Sequence, residues 1–430
     1  MATSFSLRTA ADWQKFEAQW LAPYACRSAE ANATRRFPEH EHAYRTAFQR
    51  DRDRIIHSRA FRRLKHKRQV FMITEGDHFR TRLTHTLEVA QISRTMARAL
   101  GLNEDLVEAM ALGHDLGHTP FGHLGETVLN EILQGQDTLE GALDSPALSL
   151  KSSEGKVGRG GFKHNYQSLR IIDGIEQKYL VPGLNLTAPV REGILKHTRL
   201  KRGQYVYPDF EVAALSFELD AATTLEGQLV AIADEVAQRT HDLEDGLRAG
   251  LTSLEAVRQL EIVGLVEARR GKKITGNAAP AGHEHLYRNH LVNGLIHLLV
   301  TDIVEHTLQE VKRFSSEQQR LHFFDEELVR FSPALDPLQK QLNSFIYQEI
   351  IFVPSVQRMD RQVREVLRAL FRCYYQEPRL IPESGLMPAI PVDRPRLISD
   401  FIAGMTDHFV LREIERLRGL GLPVPEIEVR

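Results

Sequence analysis

Between residues 114 and 126 the chain reads His-Asp-Leu-Gly-His-Thr-Pro-Phe-Gly-His-Leu-Gly-Glu, which gathers His114, Asp115, His118, His123 and Glu126 into one short run. Imidazole is a common transition-metal ligand and titrates near neutral pH, so this density suits metal binding, proton transfer or both. A divalent site needs imidazoles and carboxylates converging from separate elements, with positions left open for water or substrate. His114 and Asp115 supply two donors from one helix end. His85 lies in line with Val89, Ile92 and Met96 at helical spacing, and it reaches the pair if the two helices pack antiparallel. Asp234 follows an apolar turn in Ala231-Ile232-Ala233-Asp234, so its carboxylate is expected to face the interior, where a metal would supply the cation it needs.

Each residue alone has a plainer explanation. A single histidine such as His85 is more often a hydrogen-bonded core or surface residue than a ligand, and Asp234 alone could pair with an arginine. His241-Asp242 is a second His-Asp dipeptide, of a kind that arises by chance. The conjunction of four such residues carries the metal expectation; no one of them does.

The elements that must position them read as helices, with little period-two alternation, so the expected fold class is all-α. Helices are expected over 81–100, 163–175, 225–247, 290–307, 339–351, 357–375 and 396–417. Asn103 offers an N-cap to another, with Glu104 and Asp105 in its first turn and Val107, Met110 and His114 on one face. Thr119-Pro120 looks like a further helix start, which would set His123 and Glu126 one turn apart on a common face. Residues 135–161 lack periodicity and read as a mobile loop or insertion. The expected division is an N-terminal segment 1–44, a core 45–250 and a helical C-terminal part 251–430 packed on that core.

The bulk properties exclude several classes. The chain has 430 residues, 42% hydrophobic and 26% charged, with a net charge of -2, so no global pull toward nucleic acid or membrane is expected. Cys26 and Cys373 form neither a CxxC pair nor a disulfide framework, which fits a reducing cytoplasm. No signal peptide is read at the N-terminus, and no apolar run approaches the ~20 residues that span a bilayer. A cytoplasmic protein without a membrane partner is expected.

These residues resemble the HD superfamily of metal-dependent phosphohydrolases, and within it the deoxynucleoside triphosphate triphosphohydrolases, the dGTPase-like proteins. The likeness runs from about residue 45 to 410. It includes Asp53–Leu64, Arg80–Ala90, the run from His114 to Glu126, Gly161–Arg170, Glu192–His197, Phe345–Tyr347 and Asp400–Asp407. The resemblance implies a divalent ion (Mg²⁺, Mn²⁺ or another transition metal) on His85, His114, Asp115 and Asp234. It implies cleavage of a dNTP to deoxynucleoside and tripolyphosphate. His123 would act as the acid for the leaving 5′ oxygen, Glu126 would orient it, and His118 would serve as phosphate donor or second acid/base. Arg82 would clamp the phosphates, Gln69 and Asp242 would lie near the sugar, and His164 and Asn165 would join the substrate-binding set. Relatives form homo-oligomers, and some respond to nucleotides or single-stranded DNA.

Two departures from the family pattern matter. Gln238 stands where a tyrosine is common, which bears on the preference for deoxy over ribo substrates. The insertion at 135–161 lengthens the path from Glu126 to His164. The basic residues crowding 45–82 read either as a solvated helix with acidic partners or as a polyphosphate surface. Two alternatives stand beside the main expectation. One is an HD nucleotidase or phosphodiesterase on another nucleotide; the other is a nucleotide- or nucleic-acid-binding regulator with little turnover.

Overall fold

The computed structural model describes residues 7–29, 33–69, 80–143, 150–151, 157–158, 161–198, 221–270, 284–314, 326–382 and 393–426. The fold is all-α, with one two-stranded antiparallel ribbon among the described residues, Leu150–Lys151 paired with Val157–Gly158. The rest of the insertion read as a mobile loop lies largely outside the described residues. Its described beginning is packed, with Leu139 and Leu143 buried.

Helices α1 (Ala10–Trp20), α2 (Ala47–Ile56), α3 (Arg59–Arg63), α4 (Arg82–Leu100) and α5 (Glu104–Gly113) lead into the site. Thr81 caps α4 by accepting from Thr84 N, and Gly101 ends it at φ 69°, a left-handed conformation that glycine adopts without penalty. Asn103 caps α5 as its spacing predicts, accepting from Leu106 N. There follow α6 (His123–Leu133), α7 (His164–Arg170, extended by a π turn through Ile175), α8 (Ala188–Lys196) and α9 (Leu225–Arg248). After α10 (Leu254–Arg258), α11 (Glu261–Arg270) and α12 (Glu284–Val311) come helices Asp336–Ile346, Pro354–Gln376, Arg394–Ala403 and Asp407–Gly419.

Among the described residues the apolar side chains form two cores, and these cross the division expected at residue 250. The first joins α2, α4, α5 and α7–α9 with α11, α12 and the Asp336–Ile346 helix. The second joins Val128, Leu129, Ile132 and Leu133 of α6 with Val363, Leu367, Leu370, Ile398 and Val410 of the last three helices. Burial of each such aliphatic side chain is worth about 1.5–3 kcal/mol, so α6 is committed to the C-terminal helices although it lies early in the chain. By length and composition, His285–Val311 is apolar enough to cross a membrane, which corrects the reading that no such stretch exists. Its Leu291, Leu295, Leu298, Leu299 and Ile303 are buried in the first core, the position of a core helix.

The expected helix 396–417 is two helices. The chain breaks at Gly404–Thr406, where Thr406 caps the next helix by accepting from Phe409 N. The N-terminal segment is tied down by Asp51 of α2, which accepts from Arg35 Nη1 at 2.5 Å and from Thr187 N at 2.9 Å.

Candidate metal centre and phosphate pocket

His85 projects from α4, His114 and Asp115 from the C-terminal end of α5, and Asp234 from the middle of α9. His85 Nε2 lies 2.9 Å from Asp234 Oδ1, and His114 Nε2 lies 3.4 Å from Asp115 Oδ1 and 3.6 Å from Asp234 Oδ1. The His114 Nδ1 sits 2.7 Å from the Ala111 carbonyl, which can only accept, so the proton belongs on Nδ1. In the neutral ring, the form that binds a metal, Nε2 is then a buried lone pair, and it has no hydrogen-bond partner. Burial works to lower the His114 pKa, yet Asp115 and Asp234 outweigh it and push it up to about 9. Against the cost of burial, His114, Arg82 and His85 hold the Asp115 carboxyl well below its usual range. Such a pocket favours a positive charge, and neutral imidazoles with carboxylates suit a divalent ion. These four residues fit the metal.

Next to this set stands the buried Arg82, a candidate anion clamp. Arg82 is 2% exposed and donates through Nη1 to Asp115 Oδ2 at 2.7 Å, while its Nε and Nη2 have no partner. A buried guanidinium with two unsatisfied nitrogens calls for an oxyanion. Gly122, at φ 64°, lies against it: a Cβ there would come within 3.2 Å of Arg82 Nη2 and 3.3 Å of the Gln69 carbonyl. Gln69 thus borders the clamp, with its buried Oε1 unpartnered.

The expected helix start at Thr119-Pro120 does not form. Phe121 and Gly122 take consecutive positive φ values of 61° and 64°, which no helix accommodates, and α6 begins at His123. Thr119 instead donates its hydroxyl to the Gly122 carbonyl at 2.8 Å. Asp407 of the C-terminal helices accepts from Phe121 N at 2.9 Å and from Arg68 N at 2.8 Å. The buried Lys67 amine donates to the carbonyls of His118 and, at 2.8 Å, of Ala403. This tight loop presents His118 and His123.

His118, His123, Glu126 and His164 each bring a donor atom within 4.8 Å of the others. His118 Nε2 lies 3.3 Å from Asp115 Oδ1, its Nδ1 is unpartnered, and its ring stacks on His164 with centroids 3.9 Å apart. Burial, then Arg82 and His164, hold the His118 pKa well below its ordinary value. His123 is the exposed member of the group. Removal of water from its inner side, with Arg82 and His164 beside it, lowers its pKa despite the opposing effect of Glu126.

The expected hydrogen-bonded orientation of His123 by Glu126 is not what the geometry shows. The Glu126 carboxylate is engaged by His164 Nδ1 and by Lys163 Nζ at 2.7 Å, so it orients His164 and offers His123 only its charge. Asn165 is fully buried, donates to the Leu195 carbonyl at 2.6 Å and thereby ties α7 to α8; its Oδ1 has no partner. Asp242 is buried on α9 two turns past Asp234, and burial followed by Asp245 pushes its pKa up to about 8. Gln238 is half-buried one turn past Asp234.

Several residues at the site had no role from sequence. His197, at the end of α8, points Nε2 at His164 Nε2 across 3.1 Å. His241 places Nδ1 3.3 Å from His85 Nδ1, with its other nitrogen against Glu88, so the second dipeptide lies beside the first. The basic run resolves mainly into ion pairs: Arg45 with Asp53 at 2.6 Å, Arg50 and Arg54 with Glu39 at 2.5 and 2.6 Å, and Arg68 with Asp360 at 2.9 Å. Arg59, Arg62 and Lys65 remain exposed.

Comparison with known proteins bears on this geometry. A family model described as the HD domain matches residues 82–239, and one described as a phosphohydrolase-associated domain matches residues 329–416. The chain is 40% identical over 414 residues to a deoxyguanosinetriphosphate triphosphohydrolase-like protein of Brucella ovis, covering 92% of this chain and 95% of that one. Proteins of the same description from Paracoccus denitrificans (40% over 406 residues, 93% and 100% covered) and Ralstonia pickettii (40% over 398, 92% and 94%) are equally similar.

Proposed function

The chain belongs to the deoxyguanosinetriphosphate triphosphohydrolase-like family of HD-domain phosphohydrolases, and from that premise we propose that it hydrolyses a deoxynucleoside triphosphate to deoxynucleoside and tripolyphosphate. The observation that carries the reading is Arg82. Its guanidinium spans from the metal set, through Asp115, to two unpartnered nitrogens beside the loop of His118 and His123. In this reading a polyphosphate lies against those nitrogens, with its α-phosphate toward the metal residues.

When bound, a divalent ion on His85, His114, Asp115 and Asp234 supplies Lewis-acid polarisation and lowers the pKa of water. The remaining work belongs to side chains. Arg82 meets developing negative charge with preorganised donors. His118, held neutral, offers its Nδ1 edge to a phosphate oxygen or to the attacking water. His123 stands at the solvent-facing side, where the departing 5′ oxygen needs a proton; a polyphosphate anion beside it raises its pKa and loads it with that proton. Lys163 adds a positive charge at the same mouth. Gln69 and Asp242 belong to the same reading as sugar contacts, as do a homo-oligomeric, cytoplasmic enzyme and an effector nucleotide or single-stranded DNA.

The test is product analysis. The protein is stripped of metal, supplied with Mn²⁺ or Mg²⁺, and incubated with each dNTP and NTP, with and without mixed nucleotides and single-stranded DNA. Phosphates are then separated by ion chromatography. Tripolyphosphate with free deoxynucleoside is expected; orthophosphate or pyrophosphate would place the cut at another bond and overturn the reading.

A further inference from the structure

Both tryptophans of the chain, Trp13 and Trp20, lie on α1, and both face water. With Phe16 between them they form a ridge at helical spacing, 40%, 44% and 71% exposed in chain order. The rings hold one another. Phe16 stands edge-on to Trp13 with centroids 6.1 Å apart and stacks on Trp20 at 5.5 Å. Leu7 and Tyr44 are exposed too, and Tyr44 adjoins Ala43, whose carbonyl accepts from Ala10 N at 2.9 Å where α1 begins. An aromatic patch of this kind in water marks a contact surface.

The helix beneath the ridge is fixed. Thr9 closes a capping box with Asp12, and Ala10 and Glu17 are buried on the inner face. The Glu17 carboxylate accepts from Ser28 N at 2.8 Å and from Asn103 Nδ2 at 3.1 Å. Ala22, just past the helix, donates its N–H to the Gly101 carbonyl at 2.8 Å. The rings are therefore presented on an anchored frame and already stacked, so covering them costs little conformational entropy. That frame stands away from the candidate site. Helix α4 has 19 residues, about 28 Å, with His85 in its first turn and α1 against its far end.

The chemistry of the ridge selects its occupant. Helix α1 has one basic residue, Lys15, against Asp12 and Glu17, whereas a helix lying on a lipid surface needs a basic polar face. The ridge itself carries no charge. Its flank offers an acid, a base and an amide in Asp12, Lys15 and Gln19, so two copies bring no block of like charge together. Phe16 lies midway between the tryptophans, and a two-fold axis near it sets Trp13 of each copy against the partner subunit's Trp20. At roughly 200 Å² per aromatic side chain, the three rings leave about 300 Å² in water. Leu7, Tyr44 and the stems of Lys15 and Gln19 bring the face to about 500 Å², hence about 1,000 Å² for two copies, the level a specific interface must clear.

We propose that Trp13, Phe16 and Trp20 form the centre of a two-fold interface between two copies of this chain. The proposal rests on the homo-oligomer in the proposed function and not on the reaction. Because the chain has no other tryptophan, its fluorescence reports this face alone. Full-length protein is followed by sedimentation velocity and tryptophan emission from nanomolar to high micromolar concentration, with iodide as quencher. An even-numbered assembly is expected, with blue-shifted emission that resists iodide, and dilution should restore quenching in step with the loss of mass. Trp20→Ser should weaken association about 30-fold or more, since a central ring is a hot spot and a two-fold contact loses it twice. Phe16→Ser should act alike and keeps both reporters. An assembly whose tryptophans stay open to iodide would overturn the interface and leave the homo-oligomer standing, as would an unchanged dissociation constant in Trp20→Ser. A monomer at every concentration would overturn both. A blue shift that appears only with vesicles of phosphatidylcholine and phosphatidylglycerol would also overturn the interface and give the ridge to a membrane. The wild-type quenching decides even if a variant fails to fold.

Discussion

Gly117, two residues past Asp115, offers the sharpest test of how the site is assembled. A Cβ at this position would lie 2.1 Å from the His164 carbonyl oxygen and 2.1 Å from Ser168 N, both backbone atoms of α7. Ordinary Cβ contacts begin near 3.4 Å, so in Gly117→Ala the turn and α7 must part by about 1.3 Å. Neither side is a flexible side-chain tip that could swing away. The separation also weakens the bond from Gly117 N to Ser168 Oγ, now 2.8 Å. Overpacking costs about 1–3 kcal/mol and a lost hydrogen bond about 0.5–1.5 kcal/mol, so a loss of about 2–4 kcal/mol is expected. The functional effect should be larger, because α7 carries His164, and a misplacement of about 1 Å can cost on the order of 100-fold in rate. Thermal melting, bound metal per chain and turnover are measured together on Gly117→Ala, with Gly264→Ala as the control. Gly264 sits on an exposed face of α11 with nothing within 4 Å of its Cβ position, so alanine there should stabilise by about 0.5–1 kcal/mol. A Gly117→Ala protein that melts, binds metal and turns over like wild type would show that α7 does not press on this turn.

Other perturbations separate the roles of individual groups. Arg82→Lys keeps the charge but loses the planar fork, and kcat/KM should fall roughly 10- to 100-fold, the effect of about 1.5–3 kcal/mol for charged hydrogen bonds; unchanged kinetics would remove Arg82 from the phosphate clamp. His123→Ala should lower turnover about 10²- to 10⁴-fold with bound metal intact, whereas His114→Ala should lose both, as read by metal analysis beside product assays. Asp407→Asn leaves one of two buried backbone N–H groups, Phe121 or Arg68, without an acceptor, and a loss of about 1–3 kcal/mol in denaturant unfolding is expected. For Glu39, burial opposes ionisation, but Arg54 and Asn185 overcome it and hold the folded pKa at about 2, below the ordinary 4.5. The depressed value means that the stabilisation is fully present above pH 4.5 and is lost as pH falls toward 2. The stability gap between wild type and Glu39→Gln should therefore close across that window, and a gap independent of pH would refute the pairing.

Local signals in the sequence locate most helices, because caps and apolar periodicity are local. Thr81 and Asn103 start α4 and α5 where their side chains can take a backbone N–H, and α9 follows its apolar stripe to within a residue of the expected end. The failures share one cause. Thr119-Pro120 carries the local signature of a helix start, but Asp407, 286 residues away from Phe121, holds the loop in a conformation that only tertiary contacts sustain. The break at Gly404–Thr406 likewise makes sense once Thr406 and Asp407 are seen capping a helix and binding that loop. His85, His114, Asp115 and Asp234 stand out by spacing and converge in the structure. His197 does not stand out, because its partners His164 and His114 lie 33 and 83 residues earlier in the chain, and a single histidine after a helix has no periodicity to betray it.

The two cores explain why the C-terminal helices are needed by a site that takes none of its candidate ligands from them. His85, His114 and Asp234 are carried by the first core, whereas His123 and Glu126 ride on α6, which belongs to the second. The gap between the candidate metal residues and His123 is therefore a gap between cores, and the proposed reaction needs it held to within a fraction of an ångström. Three polar ties from the C-terminal helices span it. Asp407 grips the loop, the Ala403 carbonyl anchors Lys67, and Asp400 accepts from Gln167 at 3.0 Å and from Arg170 at 2.5 Å, steadying α7 and with it His164. Each tie ends on backbone or on a buried side chain, where its geometry is fixed by packing and not by solvent. On the proposed reading, residues 329–416 act through distance, and their loss is expected to appear first as misplaced His123 and Arg82 over an intact set of His85, His114, Asp115 and Asp234.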